Sequence, residues 1–202
     1  SELKNLGIET LRCGIGIMSD KHQMDIWTAI SEQKADVARI IGSLNLKGHA
    51  AMAGAYRAWH KQEAMYHYEL AGKDLKSYYK ALSNDPDYPI PEMSSMPEKH
   101  TLSTFNFKEG LLFTFTEERL PAHSAQILSR FTKVFALTYR RYLDLVQAEE
   151  QAREAQIEAA LERIRAASMA MHKTLDISNV VLVFFNQLKQ LEINFVQSWI
   201  NV

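Results

Sequence analysis

The densest chemistry in the sequence lies between positions 49 and 79, where Tyr56, Trp59, Tyr66, Tyr68, Tyr78 and Tyr79 interleave with His49, His60 and His67, and Arg39 precedes them. Side chains that join an apolar ring to one polar tip suit a pocket for a planar or amphipathic small molecule, since each supplies contact area and a hydrogen bond. In such a pocket Arg39 is the anion-binding candidate. The same residues admit a second reading, in which the aromatics pack two short helices onto a sheet and Arg39 is a solvated strand residue. Both readings stand at this point. His60, Glu63 and His67 are of the right types for zinc or iron. However, Tyr66-His67-Tyr68-Glu69 alternates as a strand does, so the three share no helical face and no metal site is expected. Cys13, the single cysteine, allows no internal disulfide and no Cys-rich zinc site, and on an apolar strand it reads as a small buried hydrophobe. Gly14 and Gly16 in that strand signal close backbone approach rather than a phosphate loop. No nucleophile elbow or carboxylate pair is present, so no catalytic residue is assigned, and the residues name no cofactor.

The elements that must position these residues follow from periodicity. Leu3, Lys4 and Leu6 read as the end of a helix closed by Gly7. Ile8 to Met18 reads as a buried strand with Leu11, Cys13, Ile15 and Ile17 on one face, joined through Ser19 to His22 to a second strand, Met24 to Ile30. After a turn at Ser31 to Asp36, Val37 to Leu46 is the third strand. The period then switches between 3.6 and 2: a helix from His49 to Gln62, a strand from Met65 to Leu70, a helix from Lys73 to Leu82. Asn84 to His100 holds four of the five prolines and reads as an irregular loop. Leu102 to Phe107 and Leu111 to Thr116 form a hairpin about Lys108-Glu109-Gly110. Pro121 then opens a helix that continues without glycine or proline to about Met171.

That helix has two characters. In its first half Ile127, Phe131, Val134, Thr138, Tyr142 and Leu145, with Leu128, Phe135, Tyr139 and Val146 alongside, read as a wide apolar face packed on a core. From Ala148 the apolar residues thin to a heptad seam of Ile157, Leu161, Ile164, Ser168 and Met171. A helix of this length reaches on the order of 75 Å, so the second half is expected to project and to find a partner. The sequence has 202 residues, 47% of them hydrophobic, with 23 basic and 24 acidic side chains and no basic stripe, which argues against nucleic acid or an anionic membrane as partner. Its longest apolar run, Val180 to Phe185, is too short to span a bilayer, and no signal sequence leads it, so the chain reads as cytoplasmic.

Thr174 to Leu191 reads as a further helix and Ile193 to Val202 as a strand. Residues 187–202 laid over 2–17 give five identities, Leu188 with Leu3, Lys189 with Lys4, Leu191 with Leu6, Ile193 with Ile8 and Ile200 with Ile15. This suggests the start of a second, similar module.

The element order, together with the stretch Ala148-Glu-Glu-Gln-Ala-Arg-Glu-Ala-Gln-Ile-Glu-Ala-Ala-Leu-Glu-Arg-Ile-Arg-Ala and Ser168-Met-Ala-Met-His-Lys, resembles a GAF-like sensory domain with its signalling helix, as found in multidomain bacterial signal-transduction proteins of the Bacteroidetes type. The fold expected is α+β, a GAF-like, mostly antiparallel central sheet flanked by helices with a long C-terminal coiled-coil helix. Residues 1–146 would form the domain with its first helix truncated, 147–172 the signalling helix, and 173–202 the first helix and strand of a following module. The resemblance implies a non-enzymatic cytosolic sensor that relays ligand or partner state to an output domain such as a kinase or cyclase. The alternative is a structural dimerisation or spacer module without a ligand. A homodimer is expected through Ile157, Leu161, Ile164 and Met171. The 174–191 helix would then be docked on the partner by domain swapping, or two copies of the 174–202 segment would pack together.

Overall fold

Alternation of period two over six stretches builds one sheet, and two stretches of period 3.6, one on each side of the fourth strand, supply the helices that cover one of its faces. In the computed structural model the strands are β1 (Arg12–Ser19), β2 (Gln23–Ser31), β3 (Val37–Asn45), β4 (Met65–Ala71), β5 (Lys99–Phe107) and β6 (Gly110–Thr116). The helices are α1 (Ala50–His60), α2 (Gly72–Ser83), α3 (Ala122–Met169) and α4 (Ile177–Gln190). The structure describes residues 6–31, 37–83, 97–173 and 176–193. The sheet order is β3-β2-β1-β6-β5-β4, and every neighbouring pair is antiparallel. The α+β class expected from the sequence is the one observed. The chain divides into two compact units, 1–138 and 139–202.

In the first unit the sheet is covered on both faces. On one side α1 and α2 lay Met52, Tyr56, Trp59, Leu75, Tyr78, Tyr79 and Leu82 against Met24, Ile26, Leu44, Leu102, Leu111, Phe113 and Phe115. On the other, Ile8 and the first turns of α3, through Ala125 and Leu128, close over Phe105. The two layers explain why nearly every residue of β5 and β6 is buried.

The face of β1 differs from the one expected. Arg12 and Gly16 are buried, whereas Cys13, Ile15 and Ile17 are half-buried on the opposite side. The glycines explain the inversion. A Cβ on Gly14 would lie 2.4 Å from the Trp27 carbonyl oxygen and 2.7 Å from Cζ of Phe113. Neighbouring strands thus fill the space that β1 leaves open.

The first half of α3 also departs from expectation. Leu128 is buried and Phe135, Tyr139 and Val146 are half-buried, but Phe131, Val134, Tyr142 and Leu145 are 46, 65, 57 and 56% exposed. A helix lying on a single sheet buries one stripe about 100° wide, and here the adjoining stripe takes that place. In the second unit Ala160 is buried, Ile157, Ile164 and Ala167 are half-buried along the same stripe, and Arg163 donates from Nη1 to Oε1 of the buried Gln187 at 2.9 Å, which fastens α4 to the end of α3. Asp176 accepts the backbone N–H groups of His172 and Lys173, each at 2.9 Å, and forms the turn between these helices.

Gly7 has φ +70°, as a helix-closing glycine would; the helix end placed before it falls on residues 1–5, outside the described residues. So do most of the Ser31 to Asp36 turn, residues 84–96 of the proline loop and residues 194–202 of the strand expected over Ile193 to Val202. The loop ends earlier than expected, since Lys99 and His100 already belong to β5. Among the described residues no helix is long and apolar enough to cross a membrane.

Candidate functional site

An arginine buried in an apolar interior is costly unless its charge is met. Arg12, only 3% exposed, opens β1 on the face beneath α1 and α2. It stands opposite Phe115 in the β1–β6 ladder, and its guanidinium lies 4.2 Å from the centre of the Phe115 ring and 6.0 Å from that of Phe113. This is a cation against aromatic faces in a desolvated setting, where the attraction is strongest. Nη2 also donates to the Tyr78 hydroxyl at 3.3 Å. A cavity of about 30 Å³ adjoins the guanidinium and is lined by Met24, Ile26, Met52, Leu111 and Phe113, with Tyr78 and Thr104 as polar members. That volume holds one or two waters.

His100, 1% exposed, lies on the same sheet face. The Tyr79 hydroxyl is 3.4 Å from its Nδ1, and Nε2 has no hydrogen-bond partner among the described residues. Burial, and then the positive charge of Arg12, push its pKa below the ordinary histidine value. The cluster therefore holds one permanent cation, a neutral imidazole and two phenols. Among the described residues it offers hydrogen-bonding tips beside the cavity and presents no activated nucleophile.

The structure sorts the eight residues expected to line a pocket. Tyr78 lines the cavity and Tyr79 reaches His100. Tyr56 stacks on His22 with centres 4.0 Å apart and donates to the Asp20 carbonyl at 3.3 Å, while Trp59 Nε1 donates to the carbonyls of Phe107 and Lys108 at 3.1 and 3.2 Å. These two residues tie α1 to the β1–β2 and β5–β6 turns. Tyr66 packs where a Cβ on Gly54 would meet its hydroxyl at 2.0 Å. Tyr68 is half-buried and lies edge-on to His49 at 6.1 Å. His49 caps α1, its Nδ1 accepting the Ala51 N–H at 3.1 Å, and its Nε2 lies 3.2 Å from Asp74 and 3.0 Å from Ser77 on α2. Arg39 stands opposite Ala29 in the edge strand β3, and its side chain lies outside the described residues.

Arg12 and His100 were missed. The only signal for Arg12 was its period-two alignment with Gly14 and Gly16, which puts the one charged side chain of β1 on a face that two glycines leave open.

On the opposite face, Cys13, Thr114, Ser103 and His67 stand side by side across four strands. Ser103 Oγ is 2.9 Å from His67 Nδ1. Ser103 is fully buried, which denies a substrate access, and burial followed by the charge of Arg119 lowers the His67 pKa. Burial likewise raises that of Cys13 and keeps it a thiol. Among the described residues no three His, Cys, Asp or Glu side chains gather as a metal set.

Of the expected dimer seam, Ile157 and Ile164 are half-buried, whereas Leu161 and Met171 are 47 and 41% exposed. No protein-family model, curated protein or solved structure matches the chain.

Proposed function

We propose that the chain is a regulatory module of the GAF-like kind, non-catalytic and cytoplasmic. In this reading it belongs to a multidomain signalling protein, receives its input at the Arg12 cluster and relays it along α3 to an output domain. The observation that carries the reading is a guanidinium buried beside an apolar cavity, in contact with Phe115 and Tyr78. This is a chemically singular point in a core otherwise filled by ordinary packing. The input group is a small molecule with a hydrogen-bonding head that fits beside Tyr78 and Thr104. It acts through different affinity for two arrangements of the elements around the cavity, because a ligand that binds both equally shifts neither. Met24 and Met52 are the flexible members of the lining, and their rotation enlarges a space now sized for water. Two copies associate through α3, and the segment from 173 onward opens a second module.

Native mass spectrometry of the full chain purified from cells, before and after denaturation, tests the reading. A retained small molecule that is lost from an Arg12→Met variant supports it. Repeated recovery of bare protein, with unchanged behaviour in Arg12→Met, overturns it. The smallness of the cavity favours the second reading, a dimerisation or spacer module with no ligand. That reading predicts bare protein and an undisturbed dimer.

A further inference from the structure

The exposed length of α3 changes sign along its course. From 122 to 143 it carries Arg130, Lys133, Arg140 and Arg141 and no acid, whereas from 144 to 158 it carries Asp144, Glu149, Glu150, Glu154 and Glu158 against Arg153 alone. Side-chain size changes at the same place. The basic stretch exposes Phe131, Val134 and Leu137, at 46, 65 and 73%, while the acidic stretch beyond Leu145, itself 56% exposed, exposes Ala148, Ala152 and Ala155. Val134, Leu145 and Ala152 fall on one line of the helix surface, since eleven and seven residues are close to three and two whole turns. The buried side chain Leu128 and half-buried Phe135 lie on a different line, so this stripe is not the one that covers the sheet.

A second copy laid along this stripe in the same direction brings basic against basic, acidic against acidic, and bulky against bulky. Laid in the opposite direction about a centre near Leu143, it brings the basic stretch of each copy against the acidic stretch of the other, Arg153 excepted, and sets Phe131 and Val134 level with Ala155 and Ala152. Like-charge juxtaposition disfavours the first arrangement as strongly as complementarity favours the second. We propose that two copies of this chain pair through α3 in antiparallel orientation, with Val134 of one copy opposite Ala152 of the other. The proposal rests on the self-association stated above and on nothing about the input ligand. It moves the interface away from the 157–171 seam, where Ala160 is already buried and Arg163 is bonded to Gln187 of α4.

The unmodified full chain gives the first test, by sedimentation across a salt series. Antiparallel pairing weakens roughly tenfold or more between ~50 mM and ~500 mM salt, because screening removes attraction. A dimer that tightens with salt overturns the proposal. Orientation is read directly by disulfide trapping in a Cys13→Ala background. Val134→Cys mixed with Ala152→Cys gives the mixed dimer, and Val134→Cys alone gives none. Val134→Cys copies joined to each other overturn the antiparallel orientation and leave self-association intact. A chain that is monomeric at every salt concentration overturns both. Should the trapping background fail to fold, Lys133→Glu provides the check: it weakens the dimer, and adding Glu154→Lys restores it. Failure of that restoration overturns the pairing.

Discussion

The sheet face beneath α1 and α2 and the exposed stripe of α3 answer opposite demands. Beneath the helices nearly every polar tip has an internal partner: Trp59 with the Phe107 and Lys108 carbonyls, Tyr56 with Asp20, Tyr78 with Arg12. Along α3, Phe131 and Val134 remain 46 and 65% exposed, and the charges around them are sorted by sign. Aromatic density therefore marks where the first unit fastens itself together, and an apolar residue left exposed beside segregated charge marks where it can meet something else.

The sharpest contrast comes from one truncation in each region. Trp59→Ala removes a buried ring and two hydrogen bonds. It is expected to lower unfolding stability by about 3–5 kcal/mol, while Val134→Ala, measured in dilute monomer by denaturant titration, changes it by no more than about 0.5 kcal/mol. Equal effects would erase the distinction. A smaller change, about 1–3 kcal/mol, is expected for Gly14→Ala, since its methyl would meet a backbone carbonyl that cannot turn aside. An unchanged melting temperature would mean that β1 does not approach β2 and β6 as closely as the register requires.

The smallest effect is a pH dependence. The His100 pKa lies below its ordinary 6.5 in the folded chain because of burial and the Arg12 charge. Above that value the ring is neutral folded or unfolded. Below it the unfolded chain takes up a proton that the folded chain resists, so stability falls as pH drops from about 6.5 towards the folded value. His67 shifts in the same direction and adds to the fall. The denaturation midpoint is expected to decline between about pH 7.5 and pH 5.5, and less steeply in His100→Gln. A slope identical in the variant would detach His100 from acid sensitivity.

Periodicity alone was enough to read the elements of the first unit. The helix over Ala50–His60, the strand over Met65–Ala71 and the β5–β6 hairpin fall within a few residues of where 3.6- and 2-residue spacing places them. The orientation of β1 was not legible in the same way. Which of its faces points under α1 depends on pairing with β6, a long-range partner whose Phe113 and Phe115 take up the room beside Gly14 and Arg12. An alternation of apolar and small residues looks the same from either side until the neighbouring strand is known. The apolar width of α3 misled for a related reason. Pattern counts the residues able to face a core, and the sheet supplies a surface for only one stripe of them.

The contact between His49 and Ala51 fixes something finer than a helix start. Because Nδ1 accepts the Ala51 N–H, the ring's own proton must sit on Nε2, directed at Asp74 and Ser77. A free neutral imidazole exchanges between tautomers, but this one is locked in a single form for as long as α1 and α2 stay latched. In ¹⁵N-enriched protein its two ring nitrogens should therefore give well-separated resonances that report, without any probe attached to the chain, on whether the latch is closed.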